Sequence, residues 1–176
     1  MPSNIPATTI RIDLILTEDS MEETKIHPTE NDEEIEWNVD RVQAPAVWNM
    51  GIDGTGTVVA TIDSGAQWDH PALKQQYRGY DSATGEVDHQ YSFYDANGER
   101  DYAYDSTSHG THVMGTIVGK EADGSNQIGV APGAQWIAAK VFDAGGNTTG
   151  SILLDAAEWI LAPGGDASKA PDVVNN

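Results

Sequence analysis

The chain of 176 residues has no cysteine, few basic residues and no long apolar run. Without cysteine there are no disulfides and no thiolate metal sites, although the compartment stays open because many secreted bacterial proteins also lack it. Nine basic residues against twenty-eight acidic ones give a formal net charge of −19. That balance argues against nucleic acid or an anionic membrane surface as a partner, since both would repel the chain. No stretch approaches the roughly 20 apolar residues of a membrane span, so no membrane insertion is expected. The opening Met1-Pro-Ser-Asn-Ile-Pro6 lacks the basic and uninterrupted apolar stretches of an export signal.

What remains is globular in kind, with 39% hydrophobic and 21% charged residues, and the length suits one domain with a sizeable core. The acid is unevenly spread: nine carboxylates and one basic side chain, Lys25, lie between Thr17 and Glu36. Such a composition reads as a solvated, disordered segment. Upstream, Ile10, Ile12, Leu14 and Leu16 give a short strand pattern. Residues 1–36 are therefore expected to be an acidic leader or the remnant of a pro-segment, and residues 37–176 the domain.

Within that domain, Ala44 to Met50 reads as a short helix stopped by Gly51. Thr57–Ile62 is a continuous β-branched and apolar run, as in a strand buried on both faces. Residues 64–108, rich in Gly, Asp, Tyr and Ser, read as surface loops. His109–Gly119 and Ser151–Leu161 read as helices, the second with Ser151, Asp155 and Glu158 on its polar face. Gln135–Phe142 reads as a second buried strand, and Pro171–Asn176 as the opening of a third. Strand, helix, strand, helix, strand is the plan of an α/β fold with a doubly wound parallel sheet, here cut off after the third core strand.

Function in such sheets gathers beyond the carboxyl ends of the strands. Asp63 stands at one such end, with Gly65 letting the chain turn away. His109 follows Asp105-Ser-Thr-Ser108 and opens a helix. Taken singly, Asp63 could merely cap a turn and His109 could merely make local hydrogen bonds. Together, a carboxylate accepting from one imidazole nitrogen leaves the other free as a base near neutral pH. His112 lies on roughly the same helix face. Asp63, His109 and His112 could thus be metal ligands, but the helix lacks the intervening Glu of a His-Glu-x-x-His site. His112 is expected to be a packed core histidine with its ring hydrogen-bonded, and His70 a turn residue. His27 and His89 earn no role.

Val58-Val-Ala-Thr-Ile-Asp-Ser-Gly65, with Asp69-His-Pro-Ala-Leu73, resembles the aspartate motif of the subtilisin-like serine peptidases. His109-Gly-Thr-His-Val-Met-Gly-Thr116 resembles their histidine motif. Gly129-Val-Ala-Pro-Gly-Ala134, Lys140-Val141 and Val173-Val-Asn-Asn176 follow in that family's order. Glu36-Trp-Asn-Val-Asp40 and Ala66-Gln-Trp-Asp-His-Pro71 are similar to its bacillopeptidase F type. The resemblance spans about Glu34 to Asn176. It implies Ser-His-Asp acyl transfer on polypeptide substrates, with Asp63 orienting and His109 acting as general base and then acid. It further implies an extracellular enzyme that needs no cofactor for its chemistry, with its own pro-segment as a partner, and a substrate-pairing segment at Gly146, Asn147 and Thr148.

The same resemblance implies a nucleophile in a Gly-Thr-Ser-Met-Ala type turn beyond residue 176, and an oxyanion asparagine also downstream. Asn175 and Asn176 belong to an earlier strand. Ala72 stands where many relatives carry a calcium-binding aspartate, leaving Asp123 and Asn126 as candidate lining for a calcium loop. Three functions are expected in descending order. The first is the amino-terminal part of a serine endopeptidase, inactive alone, and the second a non-catalytic remnant or peptide-binding fragment. The third is a metal-dependent hydrolase using Asp63, His109 and His112.

Overall fold

A computed structural model describes residues 34–124 and 126–176; the expectations for residues 1–33 lie outside them. In chain order the elements are β1 (Glu34–Ile35), α1 (Trp37–Arg41), α2 (Ala44–Trp48), β2 (Val58–Asp63), β3 (Phe93–Asp95), α3 (His109–Val118), β4 (Asn126–Gln127), β5 (Gln135–Lys140), α4 (Gly150–Leu161) and β6 (Val173–Asn175). The four strands β3, β5, β2 and β6, in that spatial order, form one sheet in which every pairing is parallel. A smaller parallel pair, β1 with β4, ties Glu34–Ile35 to the rest.

Both faces of the sheet are covered over β2, β3 and β5, whereas all three residues of the edge strand β6 are exposed. Alternate residues along a strand point to opposite faces. Val59 of β2, Phe93 of β3, and Trp136 and Ala138 of β5 accordingly share a cluster with Met114 and Val118 of α3. Their neighbours Ala60, Ile137 and Ala139 pack with Ala156 and Ile160 of α4 on the other face. Helices on both faces of a parallel sheet make the fold α/β and doubly wound, as the run of β-branched and apolar residues suggested. By the same alternation Val59, Thr61 and Asp63 all look toward α3. The carboxylate that ends β2 is thereby aimed at the helix that begins with His109.

Residues 93–95, read from the sequence as surface loop, form a short strand instead. Phe93 and Asp95 stand opposite Ala138 and Lys140 of β5. Three residues carry no periodicity of their own, and the pairing with β5 imposes the extended form. His89 likewise has a structural place. Its ring packs on Trp68 at 5.8 Å and on Tyr77 at 5.6 Å between centroids, and its Nδ1 lies 2.8 Å from the Tyr77 hydroxyl. Tyr77 in turn packs 4.5 Å from Trp136, whose indole N–H donates to Leu73 O at 2.8 Å.

Candidate active site

Strand β2 ends and helix α3 begins within hydrogen-bonding distance of each other, and two glycines permit it. Gly65 has a φ of +104°, a region that favours glycine, and a Cβ there would collide with the carbonyl oxygen of Tyr104. A Cβ on Gly110 would collide in turn with the carbonyl oxygen of Gly65. The chain before α3 is laced to the end of β2 by an antiparallel bridge between Gly65 and Asp105.

Across this junction His109 Nδ1 lies 2.8 Å from Asp63 Oδ1 and 3.0 Å from Oδ2. Asp63 is 8% exposed and also accepts from the backbone N–H of Ser64 at 2.6 Å. The carboxylate accepts only, so Nδ1 carries the proton and Nε2 keeps its lone pair. The imidazole side chain is 71% exposed, which leaves that lone pair open to an approaching group. The hydrogen bond to Asp63, reinforced by its charge, holds the pKa of His109 above the ordinary imidazole value. Burial opposes the shift and Asp105 adds to it.

Asp105 is the residue that sequence reasoning missed. It accepts from the Ser64 hydroxyl at 2.8 Å, from the N–H groups of Thr107 and Ser108 at 3.0 Å each, and from the N–H and hydroxyl of Thr111 at 2.7 and 2.6 Å. Burial works to raise its pKa, but the hydrogen bonds from Thr111, Thr107 and Ser64 outweigh it and hold the carboxyl below its ordinary value. Ser108 precedes the helix with a φ of +69° and no side-chain cap, so Asp105 and Ser64 supply the acceptors that the first turn of α3 needs. An acidic residue a few positions before a helix start is the signal that points to such a cap.

The remaining sequence expectations fall out unevenly. His112 is exposed on α3, not packed in the core. Its position in the helix faces away from Met114 and Val118, the side chains that meet the sheet. Among the described residues no group of three or more His, Asp or Glu side chains is gathered to hold a metal ion, so Asp63, His109 and His112 form no ligand set. In the candidate calcium loop, the Asn126 side-chain amide donates to Glu36 Oε1 at 3.0 Å. His70 behaves as a turn residue, its Nδ1 accepting from Ala72 N–H at 3.2 Å. No serine hydroxyl among the described residues is hydrogen-bonded to the His109 ring, and that of Ser64 is committed to Asp105 and Gly110.

Gly146, Asn147 and Thr148 lie in the loop between β5 and α4. Asp143 closes this loop on itself: its Oδ1 accepts from the N–H groups of Gly145 and Asn147 at 2.8 Å each, and its own N–H donates to Asn147 O at 3.0 Å. The Ser106 hydroxyl reaches Phe142 O and Asp143 O at 3.5 and 3.4 Å, joining this loop to the segment before His109. Beside both lies an open cleft of about 500 Å³, whose lining includes Trp68, Arg100, Tyr102, Asp105, Ser106 and Ala144.

A model of the subtilase family matches residues 54–176. The chain is 54% identical over 149 residues to Bacillopeptidase F of Bacillus subtilis (strain 168), a match covering 81% of this chain and 10% of that protein. It is 36% identical over 129 residues to the Minor extracellular protease Vpr of the same organism, covering 71% of this chain and 15% of the relative. To Subtilisin Savinase of Lederbergia lenta it is 37% identical over 125 residues, covering 71% and 40% respectively. The chain thus spans between a tenth and two fifths of the length of these relatives. The aspartate motif at the end of β2, the histidine motif at the start of α3 and these matches agree, and the chain belongs to the subtilase family, in its bacillopeptidase F type.

Proposed function

We propose that this chain supplies the aspartate and histidine of a serine endopeptidase that cleaves polypeptides through an acyl-enzyme. The single observation that carries the reading is the 2.8 Å contact between His109 Nδ1 and a nearly buried Asp63. Asp63 fixes the tautomer and stabilises the imidazolium that forms during the reaction. His109 Nε2 takes the proton of a serine hydroxyl as that oxygen attacks the scissile carbonyl, and later gives it to the leaving amine. Neutral His109 is the working form, so activity rises as pH climbs through its raised pKa. The serine comes from outside these 176 residues, from a Gly-Thr-Ser-Met-Ala type turn, and the chain by itself has no peptidase activity.

The substrate runs past the Gly146-Asn147-Thr148 segment. Among the described residues the backbone N–H and C=O of Thr148 make no hydrogen bond, and they are the groups offered to a peptide in extended form. The enzyme works outside the cell, in keeping with the name of Vpr, and the acidic residues 1–36 act as a leader or pro-segment. No cofactor takes part in the chemistry.

A fluorophosphonate probe, which reacts with activated serines, tests the proposal. The 176-residue chain should not be labelled. A longer product of the same gene that includes the Gly-Thr-Ser motif should be, and His109→Ala should abolish its labelling. Labelling of the 176-residue chain, or labelling that survives His109→Ala, overturns the reading.

A further inference from the structure

We propose that Ser64 and Asp105 form a relay that positions the Asp63–His109 pair, with the Ser64 hydroxyl as its central link. The proposal rests on the reading of His109 as the base. Ser64 is 2% exposed, its carbonyl accepts from the Ser106 N–H at 3.4 Å, and its amide and hydroxyl reach three different parts of the junction. Its backbone N–H donates to Asp63 Oδ1 at 2.6 Å, its hydroxyl donates to Asp105 Oδ1 at 2.8 Å, and its hydroxyl oxygen accepts from Gly110 N–H at 2.9 Å.

The direction of each bond is forced. Gly110 offers a proton, so the Ser64 oxygen must accept there. An ionised Asp105 can only accept, so the single hydroxyl proton goes to it. That proton is therefore unavailable to His109, which makes Ser64 a positioning residue and not a nucleophile. The residue that follows Asp63 in the chain thus holds the residue that follows His109. Asp105 completes the frame by gripping the Thr107, Ser108 and Thr111 N–H groups on either side of His109.

The consequence is geometric. Without the hydroxyl, Gly110 N–H is a buried donor with no acceptor, a state costly enough to make the first turn of α3 shift until it is solvated. His109 sits one residue away and moves with it. The Nδ1–carboxylate bond lengthens, and an imidazole less firmly held by Asp63 has its pKa returned toward the ordinary value. A role confined to packing would lower stability without touching that titration.

The test follows the His109 ring by NMR titration in the 176-residue chain, together with amide hydrogen exchange at Gly110 and, as a remote control, at Ala139 in β5. In Ser64→Ala, exchange at Gly110 should rise at least about tenfold relative to Ala139, and the His109 pKa should fall. Ser64→Cys keeps the shape but substitutes a weak hydrogen-bonding group, so it should move both readouts the same way should the alanine variant fail to fold. A His109 pKa unchanged in the folded variant overturns the relay, as does unchanged exchange at Gly110. Asp63→Asn separates this from the reading beneath it: a His109 pKa that does not fall in that variant defeats the base assignment itself, whatever Ser64 does.

Discussion

Lys140 is the register partner of Asp63 on the neighbouring strand, yet its ammonium turns the other way. It donates to Phe142 O at 2.5 Å and lies 3.6 Å from Glu99 and 4.0 Å from Asp95. The side chain is wholly buried and lies over the Tyr104 ring at 5.2 Å. Three ionisable residues, Asp95, Lys140 and Asp63, therefore cross the carboxyl end of the sheet in one row. Lys140 serves the outer carboxylate, and His109 serves the inner one.

Removing that lysine strands Asp95 without its buried cation. Lys140→Met is expected to cost about 3–5 kcal/mol, the scale for breaking a buried ion pair from one side. Urea unfolding should show a lower midpoint with an unchanged slope. Asp95 also accepts from the N–H groups of Asn97, Glu99 and Arg100 and from the Tyr104 hydroxyl, and a midpoint equal to that of the unsubstituted chain would mean that these donors suffice on their own.

Asp63→Asn keeps the size of the side chain and removes its charge. Nδ1 loses its ionic acceptor, so the His109 pKa should fall and the tautomer with a free Nε2 should no longer be enforced. In a peptidase that includes the serine motif, kcat should drop by about 10⁴-fold, as found for the equivalent change in another Ser-His-Asp site. Steady-state kinetics on a peptide substrate would reveal it, and a loss under tenfold would contradict the role given to Asp63.

Much of this was legible in the residues. The Thr57–Ile62 run marks a strand buried on both faces, and alternation from Val59 places Asp63 on the α3 side. The histidine motif opens α3 where expected. What escaped depends on partners distant in sequence. β3 exists because β5 is beside it. His89 is held by Trp68 and Tyr77, which its polar flanks do not foretell. The expectation of a packed His112 overlooks its helical spacing from the buried Met114 and Val118, which puts it on the open side. Asp105 gathers donors from the far end of β2 as well as from its own loop, and only the second set is local.

Gly110→Ala tests whether the meeting of β2 and α3 is as close as described. The added methyl group meets the Gly65 carbonyl, which is backbone and cannot turn aside. The expected cost is about 1–3 kcal/mol, in the range of overpacked interiors. Because α3 must back away, the Asp63–His109 bond should weaken in the same variant. Thermal unfolding and the His109 titration together check this, and an alanine variant with both properties intact would refute the contact.

His109 and His89 should leave opposite marks on stability as pH changes. The pKa of His109 is raised above 6.5, chiefly by its hydrogen bond to Asp63. Its stabilising effect is complete below that ordinary value and fades as pH rises through the raised one. His89 is shifted down, chiefly by burial, with Asp88 and Asp101 opposing. Its neutral form suits the fold, so its contribution is present above 6.5 and is lost as pH falls through the lowered value. Asp105 adds a separate loss in stronger acid, because its lowered pKa favours the fold only while it is ionised. Urea midpoints measured across this range should decline on both sides of a maximum. His109→Gln should flatten the alkaline decline and leave the acid one, and His89→Gln should lessen the acid decline near 6 and leave the alkaline one. A single histidine variant that flattened both sides would show that the two rings titrate as one unit, which their separate partners do not allow.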